Sequence, residues 1–105
     1  MSLVSFPSWA LSMNDLVFRA GLYYEKFNAT PFTGEVDEGL LRGSFKNGKR
    51  EGSWESYWAN GQLHYKGAYK NGEREGYWAF YWDDGAVSDG LFKTGTYKNG
   101  VKVSD

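Results

Sequence analysis

Cysteine is absent from this chain of 105 residues. Disulfides, cysteine-ligated zinc and thiol nucleophiles are therefore excluded, although the absence is compatible with any cellular compartment. No apolar run approaches the roughly 18–20 residues of a transmembrane helix. The mildly apolar start, residues 3–11, has no basic residue before it. We therefore expect no complete signal peptide, and the localisation stays open.

Motifs for catalysis and for ligand binding are also scarce. His64 is the only histidine, and no nucleophile motif accompanies it. The acidic pair Asp83-Asp84 precedes a glycine and fits a turn better than an acid–base pair or a calcium loop. Neither glycine-rich phosphate-binding motif occurs, and a net charge of −1 gives no basic groove for nucleic acid. We therefore expect a protein that is not an enzyme, binds no nucleic acid and uses no metal or cofactor.

An internal repeat is the dominant feature of what is present. Residues 43–61 and 67–85 share the pattern glycine, any residue, aromatic, Lys-Asn-Gly, then glycine, tryptophan, tyrosine and a closing glycine, at a spacing of 24 residues. A third, partial copy covers 95–100 after 28 residues, so that four extra residues fall within 86–94. A fixed period in this range indicates stacked supersecondary units that bury their apolar faces against one another.

The repeats are built from turns and short aromatic strands. Asn-Gly pairs suit type I′ hairpin turns, because both central residues need positive φ. We expect a tight hairpin at Asn60-Gly61, a longer loop over 47–52, and a degenerate hairpin at Ala20-Gly21. The predicted strands cover 41–46, 52–59, 62–70, 76–83, 86–98 and 101–103, and another begins within 31–36.

Side-chain alternation predicts one densely aromatic face. Trp78, Phe80 and Trp82 are expected on one side of their strand, and Tyr77, Ala79 and Tyr81 on the other. The glycines that precede the aromatic residue in each copy, Gly43, Gly67 and Gly95, are expected to lie under a ring from a neighbouring strand. Core packing is the first interpretation of the aromatic stripe, and a partly exposed binding tract is the second.

These repeats resemble the MORN repeat (membrane occupation and recognition nexus) in its bacterial variant form. The pattern of 15–34 is similar to the lead-in of proteins labelled YwqK-like antitoxins. The resemblance implies a bacterial source and an all-β fold, a single-layer antiparallel sheet of successive hairpins over 15–105. Residues 1–14 would then be an N-terminal extension, either native or added in cloning.

The resemblance also implies a non-enzymatic scaffold that binds another protein, in one form a toxin neutralised by occlusion. A membrane-surface module is the alternative, favoured only by the ten basic and eight acidic side chains of 42–105. Homo-oligomerisation through edge strands is a further prediction. The candidate contacts are aromatic residues near the closing turns and the charged loops after the Asn-Gly turns: Tyr57, Trp58, Tyr81, Trp82, Lys49, Arg50, Glu73 and Arg74.

Overall fold

The computed structural model describes residues 10–88 and 93–105, and these form nine strands and one short 3₁₀ helix, Met13–Asp15. Most of the predicted extension 1–14 and the centre of the insertion 86–94 lie outside the described residues. The strands are β1 Leu16–Arg19, β2 Leu22–Glu25, β3 Gly34–Asp37, β4 Leu41–Lys46, β5 Lys49–Tyr57, β6 Leu63–Lys70, β7 Glu73–Phe80, β8 Gly95–Lys98 and β9 Val101–Ser104.

Every described strand pairs antiparallel with a strand next to it in the chain. β3 to β9 form a seven-stranded sheet in sequence order, and β1 and β2 form a separate two-stranded sheet. The molecule measures 39 × 37 × 18 Å along its principal axes. The prediction of an all-β meander of successive hairpins is confirmed. In the described parts of the chain, no helix has the length and apolarity needed to cross a bilayer.

The Asn-Gly turns reverse the chain in two residues. Asn47, Asn71 and Asn99 have φ of 51–52°, and the glycine after each has φ of 83°. Ala20 adopts the same conformation at the predicted first hairpin, with φ 51°. Because two positive-φ residues complete the reversal, β5 starts at once at Lys49, and the predicted loop over 47–52 is wrong. Gly52 instead has φ 76° inside β5, where the pairing with β4 shifts register.

The turn at Asn60-Gly61 is wider than predicted. Only Gly61 has positive φ there, and the reversal is closed by hydrogen bonds from Trp58 N to Gln62 O (2.8 Å) and from Gly61 N to Trp58 O (2.9 Å). The Asn60 side-chain oxygen accepts a hydrogen bond from Gln62 N, and the Asn60 backbone does not adopt positive φ. The expectation of a tight two-residue hairpin at this position is wrong.

Each complete repeat buries one tryptophan over a glycine. Trp54 and Trp78 are both 1% exposed, and a Cβ added to Gly43 or Gly67 would overlap their rings. Their indole nitrogens donate to backbone carbonyls at 3.0 and 2.9 Å. The predicted ring over glycine is therefore confirmed for these two glycines. The expectation is wrong for Gly95, where the Lys102 side chain and the Ser104 carbonyl take the place of a ring.

The two edges of the large sheet differ. Leu11 runs parallel to β3 and bonds to it twice, from Leu11 N to Glu35 O and from Asp37 N to Leu11 O. β9 is the last strand at the opposite edge, where Val101 and Val103 are 64% and 60% exposed. The predicted homo-oligomerisation through edge strands stays a prediction, and β9 is the edge that it would use.

Candidate protein-binding surface

The predicted contact residues fall into two groups at opposite ends of the strands. Arg50 is the second residue of β5 and Tyr57 is its last; seven steps of about 3.3 Å place them roughly 23 Å apart. Lys49-Arg50 and Glu73-Arg74 were expected in charged loops. They lie in strands instead, because the turns before them need only two residues. One group holds Lys49, Arg50, Glu73 and Arg74, and the other holds Tyr57, Trp58, Tyr81 and Trp82.

Trp58 and Trp82 occupy matching turns but have different surroundings. The Trp58 ring lies on His64 with centroids 3.9 Å apart, and its indole nitrogen donates to Tyr81 O at 3.1 Å. Trp58 therefore joins its own repeat to the next. Trp82 is 47% exposed. Of the two, Trp82 is the residue free to meet a partner through a large part of its ring.

Tyr57 and Tyr81 point away from the aromatic core. The Tyr57 hydroxyl donates to Glu55 Oε2 at 3.3 Å. Loss of solvent, with the Glu55 charge beside it, raises the pKa of Tyr57. Tyr81 lines a shallow groove of about 530 Å³ with Leu63, Ala79 and Tyr77, and Tyr77 is 61% exposed.

Arg50 and Arg74 are part of the aromatic face. The Arg50 guanidinium carbon lies 5.2 Å from the ring centroids of both Tyr23 and Trp54. Arg74 lies 5.6 Å from Trp78 and 5.1 Å from Phe80. A guanidinium within about 6 Å of an aromatic ring gains a cation–π attraction. These arginines therefore hold fixed positive charge over apolar rings.

A groove opens on this face in the second repeat, and we call it the aromatic groove. Its volume is about 210 Å³, and it is lined by His64, Tyr65, Tyr69, Arg74, Trp78 and Phe80. Burial lowers the pKa of His64, which favours the neutral imidazole. Burial is also the main cause that raises the pKa of Tyr65, which keeps its phenol protonated. Arg74 is therefore the cationic member of a lining that is otherwise neutral.

The matching place in the first repeat is covered. Phe45 and Arg50 precede Tyr69 and Arg74 by 24 residues. Tyr23 of β2 packs on this first pair, with its ring centroid 5.0 Å from that of Phe45. Its backbone nitrogen donates to Gly48 O at 2.8 Å, which ties β2 to the first Asn-Gly turn. The β1–β2 hairpin thus supplies a ring to the first repeat.

Of the predicted contacts, Arg74 lines the aromatic groove, and Trp58 supports its wall through His64. Sequence reasoning did not identify His64, Tyr65 and Tyr69 as lining residues. One signal was present: the third residue after the turn asparagine is basic in all three copies, as Arg50, Arg74 and Lys102. Within 10–88 and 93–105, no three acidic or histidine side chains are placed to hold a metal ion.

The fold and its exposed grooves define an all-β protein of stacked hairpin repeats. Comparisons with protein-family models, with curated proteins and with solved structures returned no match.

Proposed function

We propose that this chain is a non-enzymatic repeat scaffold that binds another protein. One observation carries the proposal: the described residues of the second repeat form a groove of about 210 Å³ whose lining is mainly aromatic and includes Arg74. Aromatic and arginine side chains are enriched where protein interfaces gain most of their affinity. A groove lined by tyrosine, tryptophan and a fixed arginine has the composition of such a centre.

A more specific version of this proposal is that the partner is a toxin, which the sheet neutralises by covering its active surface. The support for this form is the resemblance of residues 43–61 and 67–85 to bacterial MORN-type repeats and of 15–34 to the lead-in of antitoxin-labelled proteins. Occlusion requires only a stable, complementary surface. The rigid stack of hairpins suits that requirement, because Trp54 and Trp78 are each locked over a glycine of the neighbouring strand.

Affinity capture with matched baits tests the proposal. The native chain, Arg74→Glu and Lys98→Glu are immobilised after circular dichroism has established that all three fold. We expect a stoichiometric partner on the native chain and on Lys98→Glu, because Lys98 is exposed and does not line the groove. The Arg74→Glu bait should not recover the partner. Absence of a partner, or equal recovery on all baits, would contradict binding through the groove.

Membrane-surface association is the second candidate, and one observation favours it. Four exposed lysines flank the Asn-Gly turns at one end of the stack: Lys46, Lys49, Lys70 and Lys98. Each lysine near an anionic bilayer contributes about 1 kcal/mol. Glu51 and Glu73 lie at the same end and reduce this attraction. Co-sedimentation with phosphatidylserine vesicles at moderate salt tests the idea, and recovery of the protein in the supernatant would reject it.

A further inference from the structure

We infer that the partner protein places the carboxylate of an aspartate or a glutamate against Lys49 and Arg50. These two cations line a second groove, between the β1–β2 hairpin and the turn at Asn71-Gly72, which we call the cationic groove. This inference rests on the proposed protein-binding function and names the chemistry of one contact that the partner makes.

The cationic groove lies at the end of the stack where the Asn-Gly turns are. Its volume is about 270 Å³, and Phe18 and Tyr23 contribute its aromatic wall. Three successive turns supply backbone to it through Gly21, Gly48 and Gly72. None of the described residues that line it is acidic. A positive charge in this groove therefore meets no opposite charge from the lining itself.

The Arg50 guanidinium is held in place by aromatic rings. Its carbon lies 5.2 Å from the ring centroids of Tyr23 and Trp54, 5.8 Å from that of Phe45 and 5.7 Å from that of Tyr69. These contacts are made through the face of the guanidinium and use none of its N–H donors.

The N–H donors of Arg50 are available to a ligand. Within residues 10–88 and 93–105, the Arg50 side chain has no hydrogen-bond acceptor and no ion pair. A guanidinium binds a carboxylate through two parallel N–H···O bonds. A guanidinium that is already oriented loses little freedom when it forms them. Arg50 is therefore prepared for a planar, two-oxygen anion.

Lys49 adds a second positive charge beside the guanidinium. The stem of its side chain passes 3.6–3.7 Å from the place that a Cβ on Gly72 would take. The part of the chain that the structure describes gives Lys49 no ion pair. The second repeat has Glu73 at the matching position and the partial third copy has Val101, so the first copy alone has two adjacent cations. The charge of the cationic groove is thus complementary to an anion.

The aromatic wall favours a carboxylate that belongs to a protein. Phe18 is 62% exposed, and its ring centroid lies 4.8 Å from that of Tyr23. An apolar side chain next to the acidic residue of the partner would pack on this exposed ring and remove it from water. An inorganic anion would gain the charge attraction but has no group for that contact.

Titration of the native chain with N-acetyl-phenylalanyl-glutamate amide, followed by nitrogen-15 NMR, tests this inference. We expect a saturable shift of the Arg50 side-chain Nε–H signal. The matched probe that carries glutamine in place of glutamate should bind about 5- to 30-fold more weakly. Absence of the shift, or equal affinity for the two probes, would overturn the inference. This comparison uses the unaltered chain, so it does not depend on the folding of a variant.

Two further titrations of the native chain identify the source of the anion. Inorganic phosphate and phosphatidylserine vesicles should each act on the Arg50 signal more weakly than the glutamate probe does. If either acts as strongly, the groove does not prefer a protein carboxylate, and the inference is wrong.

Variants that circular dichroism shows to be folded locate the effect. Arg50→Gln should weaken the glutamate probe about 5- to 30-fold, and Arg50→Lys should restore only part of the loss, because lysine lacks the two-pronged donor geometry. The control is Lys70→Gln, since Lys70 is exposed at the same end of the stack and does not line the groove. It should change the affinity by less than about 2-fold. Equal weakening by Lys70→Gln and Arg50→Gln would refute the inference.

The outcomes separate this inference from the proposed function. Probe binding with no captured partner would uphold the carboxylate preference of the cationic groove and remove support for the scaffold role. A partner recovered equally on native and Arg50→Gln baits, together with no probe binding, would uphold the scaffold role and overturn the inference.

Discussion

Replacing Gly67 with alanine would put a methyl group into the space of the Trp78 ring. A Cβ at this position would lie 2.6 Å from Trp78 Cγ and closer still to two other ring atoms. Gly67 does not have positive φ, so the backbone itself accepts alanine. The penalty therefore comes from the ring, which must move.

The magnitude follows from how far the indole moves. If it shifts and stays buried, overpacking costs about 1–3 kcal/mol. If the indole is expelled, the loss of unfolding free energy approaches the roughly 3–5 kcal/mol that removing a buried tryptophan from a core costs. The hydrogen bond from its indole nitrogen to Ala68 O, 2.9 Å long, adds about 1 kcal/mol when broken. We expect Gly67→Ala to lower the free energy of unfolding by about 2–5 kcal/mol, a large part of a small domain's stability.

Urea unfolding followed by circular dichroism measures this change. The control is the same substitution in a Trp78→Leu background, where the smaller side chain can make room and Gly67→Ala should cost less than about 1 kcal/mol. A loss below about 1 kcal/mol in the native background would refute the reasoning. An equal loss in both backgrounds would show that the cost does not come from the ring.

Two further predictions concern the far end of the stack. Trp58→Phe removes the hydrogen bond to Tyr81 O and should lower the unfolding free energy by about 1 kcal/mol. Trp82→Phe should change it by less than about 0.5 kcal/mol, because Trp82 is 47% exposed. Equal losses for the two variants in urea unfolding would contradict this. Because burial lowers the pKa of His64 from its ordinary 6.5, the unfolded chain binds more protons, so stability should fall as the pH drops below about 6.5. His64→Phe should flatten that part of the pH profile, and an unchanged slope would show that another group causes it.

Much of the fold could be predicted because its causes are local. Three of the four Asn-Gly pairs reverse the chain through their own φ preferences, and the missing side chain of Gly67 marks where a ring approaches. The prediction failed at Gly52, since a glycine with positive φ serves a loop or a bulge within a strand equally well. The pairing register of β4 with β5 decided that Gly52 lies in a bulge and not in a loop. A register depends on two strands together, so one segment alone could not indicate it.

The candidate site was harder to predict because its parts are distant in sequence. Trp58 and Trp82 have nearly the same neighbours along the chain, yet Trp58 stacks on His64 and bonds to Tyr81 O, whereas Trp82 is 47% exposed. Arg50 and Arg74 follow turns and are charged, which is typical of loops. Their aromatic surroundings come from other strands, so a local pattern could not indicate them.

The sequence by itself determined the repeat period, the hairpin turns and the aromatic face, since each depends on residues a few positions apart. Only the tertiary structure decided where the β1–β2 hairpin packs. Docking of the β1–β2 hairpin brings Tyr23 onto Phe45, and that contact depends on the packing of two separate sheets.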